Sequence, residues 1–112
     1  MSLTKTPAIF GSPRRTEVLT LIALLEETYP RELARLLGAR LLTIQQIVES
    51  LESEGMISTR LVGRQRRVTL NERFYGAKQL RDLLLKLGEA NTELQAIVTS
   101  IRRRPRTRSS PL

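Results

Sequence analysis

The sequence contains no cysteine and no histidine. Without cysteine, the chain can form neither a disulfide framework nor a thiolate metal site. Without histidine, it lacks the commonest general base and the commonest metal ligand. The eleven acidic residues are spread along the chain, and their spacing is not typical of a catalytic site. We therefore expect a protein that is not an enzyme and that needs no metal or cofactor.

Aromatic residues and long apolar segments are also scarce. Only 4% of the residues are aromatic, so leucine, isoleucine and valine must supply the hydrophobic core. No apolar run approaches the ~18 residues of a membrane-spanning helix, and the N-terminal residues lack the apolar region of a signal peptide. A length of 112 residues is typical of one domain. These features predict a soluble, cytoplasmic protein built around one core.

Positive charge is concentrated in two segments of the chain, which carries a net charge of +8. Residues 102–112, RRRPRTRSSPL, contain five arginines and no acidic residue, and residues 57–71 contain four arginines and no acidic residue. A codon bias in the source genome would explain the preference for arginine over lysine, but it would not explain this clustering. Two separate basic segments are typical of a surface that binds nucleic acid.

The first two predicted helices each begin at a proline, which lacks the N–H group that a first helical residue leaves unbonded. Pro13 opens a helix over about residues 13–27, whose apolar residues recur at helical spacing. Pro30 opens a second, shorter helix over about residues 30–37. Gly38 suits the left-handed conformation that ends a helix.

A third helix is predicted only three or four residues after the second, and Gly55 is expected to end it. Two helices joined by so short a turn are typical of the helix-turn-helix motif, although helical hairpins in bundles share the pattern. The residues that form its apolar face are Leu41, Ile44, Ile47, Val48 and Leu51.

Residues 57–71 change to the alternating pattern of a β-hairpin. The pattern favours a register in which Leu61 lies opposite Val68. Thr59 then lies opposite Leu70, and these four side chains share the buried face of the hairpin. A slip of one residue would turn a charged side chain towards that face, so it is disfavoured.

Most of the charge of the hairpin lies near its connection. The favoured register leaves residues 63–66 as a four-residue connection, or residues 64–65 as a tighter turn. Arg60 and Arg67 are expected to point to solvent from the two strands. The other two arginines are expected at the tip: Arg64 and Arg66.

Two more helices are predicted after the hairpin. Asn71 is suited to cap the fourth helix, and Gly88 would end it. Either Asn91 or Thr92 would cap the fifth helix. The two apolar stripes are wider than one core contact requires, which predicts a two-fold homodimer. The residues expected at the dimer interface are Leu80, Leu83, Leu84, Leu87, Leu94, Ile97, Val98 and Ile101.

Three segments together resemble the winged helix-turn-helix family, in the form found in small prokaryotic regulators of the ArsR or MarR type. YPRELARLLG resembles the second helix, TIQQIVESLESEGMI the third helix, and GRQRRVTLN the wing, which is the hairpin that follows. The resemblance implies a mainly α fold with a small β-hairpin and additional C-terminal helices. The metal-sensing ArsR pattern is not followed, because its cysteine and histidine ligands are missing.

The chain is accordingly divided into four predicted segments. Residues 1–11 are an N-terminal arm, and residues 12–88 are the winged helix-turn-helix domain. Residues 89–101 form a C-terminal helix available for dimerisation, and residues 102–112 form a disordered basic tail. The tail is expected either to attract DNA non-specifically or only to aid solubility.

The resemblance implies binding to double-stranded DNA and a role in transcription regulation. In this family the third helix enters the major groove, and the wing reaches the backbone or the minor groove. Glutamine can bond N6 and N7 of adenine, leucine can contact a thymine methyl group, and arginine neutralises phosphates. The predicted DNA-binding residues are Arg40, Leu42, Thr43, Gln45, Gln46, Arg60, Arg64, Gln65, Arg66 and Arg67.

Other interpretations of these residues stay open at this point. The polar face of the third helix is also compatible with simple solvation, and the wing arginines with protection of a sheet edge. Arg31 and Arg35, in the second helix, are as compatible with solvent as with the DNA backbone. Winged helices also serve as protein-interaction or RNA-binding modules, for example beside a nucleotidyltransferase. The sequence does not indicate a small-molecule effector.

Overall fold

The computed structural model describes residues 9–103, which form five helices and one two-stranded antiparallel hairpin. The predicted fold class, mainly helical with a small hairpin in winged helix-turn-helix order, is confirmed. Residues 1–8 of the predicted arm and 104–112 of the predicted tail lie outside the described residues. The elements in chain order are α1 (Pro13–Leu25), α2 (Pro30–Leu37), α3 (Leu41–Ser53), β1 (Ile57–Val62), β2 (Gln65–Leu70), α4 (Ala77–Ala90) and α5 (Thr92–Arg103).

Helix α1 begins at the predicted residue but ends two residues earlier than predicted. Ser12 caps it, and Pro13 occupies its first position. After Leu25, Glu26 adopts a left-handed conformation (φ 72°) and donates its N–H to the carbonyl of Ile22 at 2.9 Å. This bond closes the helix without a glycine, so the sequence gives no signal of the end. The side chains of α1 that lie at the centre of the core are Val18, Leu19, Leu21 and Ile22.

The helix-turn-helix motif is confirmed, and α2 covers the predicted residues. Gly38 adopts the left-handed conformation (φ 62°) that ends α2, and α3 begins three residues later at Leu41. Gly55, also left-handed (φ 84°), follows the end of α3. The inward side chains of α3 are fixed against α1 and the hairpin, and the fully buried ones are Ile44, Val48 and Leu51.

The register of the hairpin differs from the predicted register by two residues. Thr59, and not Leu61, lies opposite Val68. Gly63, with a φ of 66°, allows a two-residue turn over Gly63 and Arg64, and β2 begins earlier than predicted. Because the shift is two residues, the strands keep the same side chains on the same faces.

The new register changes the expected surroundings of the arginines. Arg66 lies on β2 opposite Leu61, so Arg64 alone is in the turn. Arg60 lies directly opposite Arg67. Leu61 is 73% exposed, and its prediction as a buried residue is wrong because the core does not extend under the outer half of the hairpin.

Hydrogen bonds join the hairpin to the helices. The Val68 N–H donates to the carbonyl of Thr28 at 2.8 Å, and the Thr28 N–H donates to the carbonyl of Val68 at 3.0 Å. Thr28, in the connection between α1 and α2, therefore pairs with β2 as a third strand one residue long. The hydroxyl of Thr59 donates to Glu52 at 2.6 Å, which fixes β1 against α3.

Helix α4 begins later than predicted, because Asn71 caps a turn and not a helix. Its side chain accepts the N–H of Arg73 at 3.0 Å and donates to the carbonyl of Gly55 at 2.8 Å. The chain then turns through Gly76 (φ 78°), and α4 begins at Ala77. The bonds of Asn71 hold the end of β2 against the end of α3.

Gly88 lies within α4, and its prediction as the end of the helix is wrong. A Cβ atom at this position would lie 3.0 Å from both Cδ atoms of Leu24. Glycine therefore permits a close approach of α4 to α1, and α4 continues to Ala90.

Helix α5 begins at the predicted cap. The side chain of Asn91 accepts the N–H of Leu94 at 3.0 Å. The helix continues through Arg102 and Arg103, the first two residues of the predicted tail. Within residues 9–103, no helix has the length and apolar character that a membrane span requires.

Candidate nucleic-acid interface

The exposed face of the first two turns of α3 is neutral and polar apart from one leucine. Thr43, Gln45 and Gln46 are exposed, and Leu42 is 65% exposed. Glu49, the only acid on this part of the face, lies about one turn further along the helix. The first two turns of α3 therefore present hydrogen-bonding groups without negative charge.

Arg40 precedes α3 and is exposed. Its backbone is extended (φ −68°, ψ 139°), and its side chain makes no capping hydrogen bond with α3. The first N–H groups of a helix have no partner within that helix and carry a partial positive charge. The start of α3 is therefore electropositive and open to an anion.

Three of the four hairpin arginines are exposed: Arg60, Arg64 and Arg66. Among residues 9–103 none of them has a carboxylate partner. Two apolar side chains of β1 are exposed beside them, Leu61 at 73% and Val62 at 47%.

Arg67 differs from the other three arginines, because it is half-buried and has partners. Its Nε lies 3.4 Å from a carboxylate oxygen of Glu27, and its guanidinium lies 5.7 Å from the ring centroid of Tyr29. Like charges directly opposite each other destabilise a strand pair, so Glu27 offsets the repulsion between Arg67 and Arg60. Arg67 thus connects the wing to the segment before α2.

Helix α3 and the wing meet at an open cleft of about 530 Å³. Its sides come from the start of α2, the first half of α3 and the turn end of the hairpin. We call it the wing cleft, and its lining residues are Tyr29, Pro30, Arg31, Leu41, Gln45, Arg64, Gln65 and Arg66.

A smaller cleft of about 270 Å³ continues along α3. It brings Leu42 and Gln46 beside Arg66 and Gln45, which line both clefts. Six of the predicted DNA-binding residues therefore line one continuous surface. The others, Arg40, Thr43, Arg60 and Arg67, line neither cleft.

Arg15, which was not among the predicted site residues, helps to hold α3 in place. Its guanidinium donates to the carbonyl of Phe10, to the hydroxyl of Ser50 and to the carboxylate of Glu54, each at 2.6 Å. These bonds fix the last turn of α3 to the start of α1. A sequence signal for them is lacking, because the partners on α3 are far from Arg15 along the chain.

The predicted dimer surface is only partly available. Leu84, Leu94 and Val98 are 0–3% exposed and belong to the core of the chain itself, so their assignment to a dimer interface is wrong. They are buried because α4 and α5 pack on α1. The predicted interface residues that reach the surface are Leu80, Leu83, Leu87, Ile97 and Ile101.

No protein-family model and no curated protein matches this sequence. Solved structures do match the fold. The adhesin competence repressor (AdcR) of Streptococcus pyogenes matches with a TM-score of 0.58 and 15% identity, over 82% of this chain and 66% of that chain. A MarR-family transcriptional regulator of Rhodococcus sp. RHA1 matches with a TM-score of 0.54 and 22% identity, over 86% of this chain and 64% of that chain. This chain thus spans slightly less than two thirds of each, and the likeness shows a shared fold.

Proposed function

We propose that this chain, which shares its fold with a MarR-family transcriptional regulator, is itself a DNA-binding transcriptional regulator without enzymatic activity. The observation that carries the proposal is the wing cleft. There, the neutral face of α3 adjoins arginines of the wing, and no carboxylate lines the space between them. A double helix offers matching chemistry, since base edges lie in its grooves and phosphates lie along their borders.

In this proposal α3 enters the major groove and supplies sequence choice. Gln45 and Gln46 bond adenine edges, and Leu42 contacts a thymine methyl group. Arg40 and Thr43 contribute contacts near the start of the helix, where the partial positive charge favours phosphate. Glu49 limits the depth of entry, because a carboxylate near phosphates is repelled.

The wing supplies affinity and position. Arg60, Arg64 and Arg66 contact phosphates or the minor groove, and Gln65 adds a neutral donor beside them. Such contacts release counterions and fix the orientation of the protein, but they carry no direct sequence information. Arg67 contributes mainly by holding the wing in place through Glu27 and Tyr29.

A homodimer completes the proposal. Leu83 is 43% exposed on α4, and neighbouring apolar side chains of α4 and α5 are only partly covered. A two-fold dimer through this surface would present two copies of α3 to the two halves of a palindromic site.

The proposal is tested by fluorescence anisotropy with labelled duplex DNA, once with random sequence and once with a site obtained by selection in vitro. We expect binding to both, tighter binding to the selected site, and a fall in affinity with salt at a slope of ~0.9 for each phosphate contact. Absence of binding to either duplex at low salt would contradict the proposal.

A protein-interaction or RNA-binding module is the second candidate. The exposure of Leu61, Val62 and Leu42 favours it, because apolar residues at the centre of a surface often contact proteins. A module of this kind would bind duplex DNA no better than other polyanions. Heparin competition in the same assay distinguishes the two functions, since a selected DNA site should resist heparin better than random DNA does.

A further inference from the structure

The wing cleft has a one-sided charge. Arg31 contributes from α2, and Arg64 and Arg66 contribute from the wing, while no acidic residue lines the cleft. All three arginines are exposed and have no carboxylate partner among residues 9–103. Other clefts on the same surface carry acids, for example Glu32 in the cleft along α2 and Glu49 in the smaller cleft along α3.

Two acidic residues close to Tyr29 in the sequence have partners outside the wing cleft. Glu27 pairs with Arg67 at 3.4 Å. Glu32 accepts the hydroxyl of Thr28 at 2.6 Å and lies 3.9 Å from Arg35. These contacts direct both carboxylates to other partners, and neither carboxylate lines the wing cleft.

The position of Arg31 has no benefit for the helix that carries it. Arg31 is the second residue of α2, and a cation in the first turn is disfavoured by the partial positive charge of a helix N-terminus. Gathering Arg31, Arg64 and Arg66 adds mutual repulsion. An anion bound between them would remove both costs.

The two sides of the wing cleft are linked to each other by the fold. One side is α2, which begins directly after Thr28 and Tyr29, and the other side is the wing. The two hydrogen bonds between Thr28 and Val68 join these sides at 2.8 and 3.0 Å. The stacking of Arg67 on Tyr29 adds a second link. The strand that carries Arg66 is therefore joined to the segment that leads into α2 and Arg31.

We propose that the wing cleft binds the phosphodiester backbone of one DNA strand, with Arg31 on one side and Arg64 and Arg66 on the other. This inference rests on the proposed function. If α3 occupies the major groove and the wing reaches the neighbouring minor groove, the strand that separates the two grooves passes between them. The wing cleft lies between α3 and the wing. Arg31 would therefore contact the same DNA strand as Arg64 and Arg66.

The test is a double-mutant cycle on DNA affinity with Arg31→Ala and Arg64→Ala. Two contacts to one short stretch of backbone depend on each other, so their losses are not independent. We expect each single variant to weaken binding and to flatten the salt slope by ~0.9. The double variant should lose less affinity than the product of the two single losses.

The matched control pair is Arg31→Ala with Arg60→Ala. Arg60 belongs to the same hairpin and is exposed, but it does not line the wing cleft. The losses of this pair should multiply. The melting temperature of no variant should fall below that of the unmodified chain, because none of these side chains is buried.

A second arm locates the contact on DNA. Single methylphosphonate linkages, which remove one backbone charge, are placed in turn along the selected site. Among the linkages that weaken binding of the unmodified chain, at least one should have little further effect on Arg31→Ala, and that same linkage should have little further effect on Arg64→Ala. The inference would be overturned if the affinity losses of Arg31→Ala and Arg64→Ala multiplied in the double variant and if the two variants were insensitive to different linkages. The proposed function would then remain intact.

A third arm excludes a free anion as the ligand. Sodium phosphate is titrated without DNA, at constant ionic strength, while the melting temperature is followed. We expect no difference between the unmodified chain and Arg31→Ala. A saturable rise that Arg31→Ala abolishes would show a site for free phosphate and overturn the assignment to backbone. Failure of the unmodified chain to bind any duplex would instead overturn the proposed function, and this inference with it.

Discussion

The base of the hairpin and its tip use the same residue type in opposite ways. At the base, Arg67 stacks on Tyr29 and pairs with Glu27. At the tip, Arg64 and Arg66 have no such partners among residues 9–103. A run of arginines in a sequence therefore does not have one function. What the fold brings beside each guanidinium decides whether the residue holds the structure together or stays available to a ligand.

The largest expected effect is a loss of stability from a substitution at the buried end of the hairpin, compared with a substitution near its turn. Val68 is 0% exposed, whereas Val62 is 47% exposed, and both are β-strand valines of the same hairpin. Val68→Ala should lower the free energy of unfolding by about 1.5–3 kcal/mol, the range for burial of such a side chain. Val62→Ala should change it by less than about 0.5 kcal/mol. Urea denaturation followed by circular dichroism measures both, and equal losses would contradict the contrast.

The second expected effect is a loss of DNA affinity, which should differ in kind between a substitution in α3 and one in the turn of the hairpin. Gln46→Ala should cost about 1–3 kcal/mol on the selected site and little on random DNA, because it removes a base contact. Arg64→Ala should weaken both duplexes about equally and flatten the salt slope by ~0.9. Anisotropy titrations of the two variants on both duplexes decide the matter. Equal, sequence-independent losses would leave the base-reading role of Gln46 without support.

The third expected effect is a difference in stability between variants of an arginine with partners and of an arginine without them. Arg67→Ala removes a partly exposed ion pair and a cation–π contact, which should together cost about 1 kcal/mol. Arg64→Ala should cost less than about 0.5 kcal/mol, since its side chain is exposed without a partner in the described part of the chain. Thermal melting of both variants gives the comparison. A more stable Arg67→Ala would show that repulsion from Arg60 outweighs both contacts.

The smallest effect on stability is expected at the surface of α4. Leu83→Glu should change the unfolding free energy by less than about 0.5 kcal/mol, because Leu83 is 43% exposed. It should nevertheless shift the sedimentation of a dimer towards the 12.7 kDa of one chain. Gln79→Glu, an exposed position on the same helix with the same change of charge, is the control. A monomer before any substitution would contradict the proposed dimer.

The sequence predicts those parts of the fold whose signals are local. The bounds of α2 follow from Pro30 and Gly38, and the start of α5 follows from Asn91, because each signal lies within a few residues of the backbone it controls. Gly88 gives a misleading signal. A larger residue at this position would collide with the side chain of Leu24, which is distant in the sequence.

In the candidate site, the exposed face of α3 could be predicted from the sequence, whereas the register of the hairpin could not. Helical spacing identifies the exposed face of α3, since one buried position such as Ile44 fixes the orientation of all others. The hairpin lacks this constraint, because a shift of two residues leaves its faces unchanged and only the turn at Gly63 decides. The partners of Arg67 and Arg15 depend on packing between elements, which composition and spacing do not encode.

The pairing of Thr28 with Val68 has a consequence for how the domain opens. The amide hydrogen of Val68 is bonded to a residue that precedes α2, so it can exchange with solvent only when the hairpin separates from the helices. The amides beside the turn at Gly63 depend only on the pairing of two strands at their free end. Hydrogen exchange should therefore be slow at Val68, on the scale of global unfolding, and fast near the turn, where local fraying suffices.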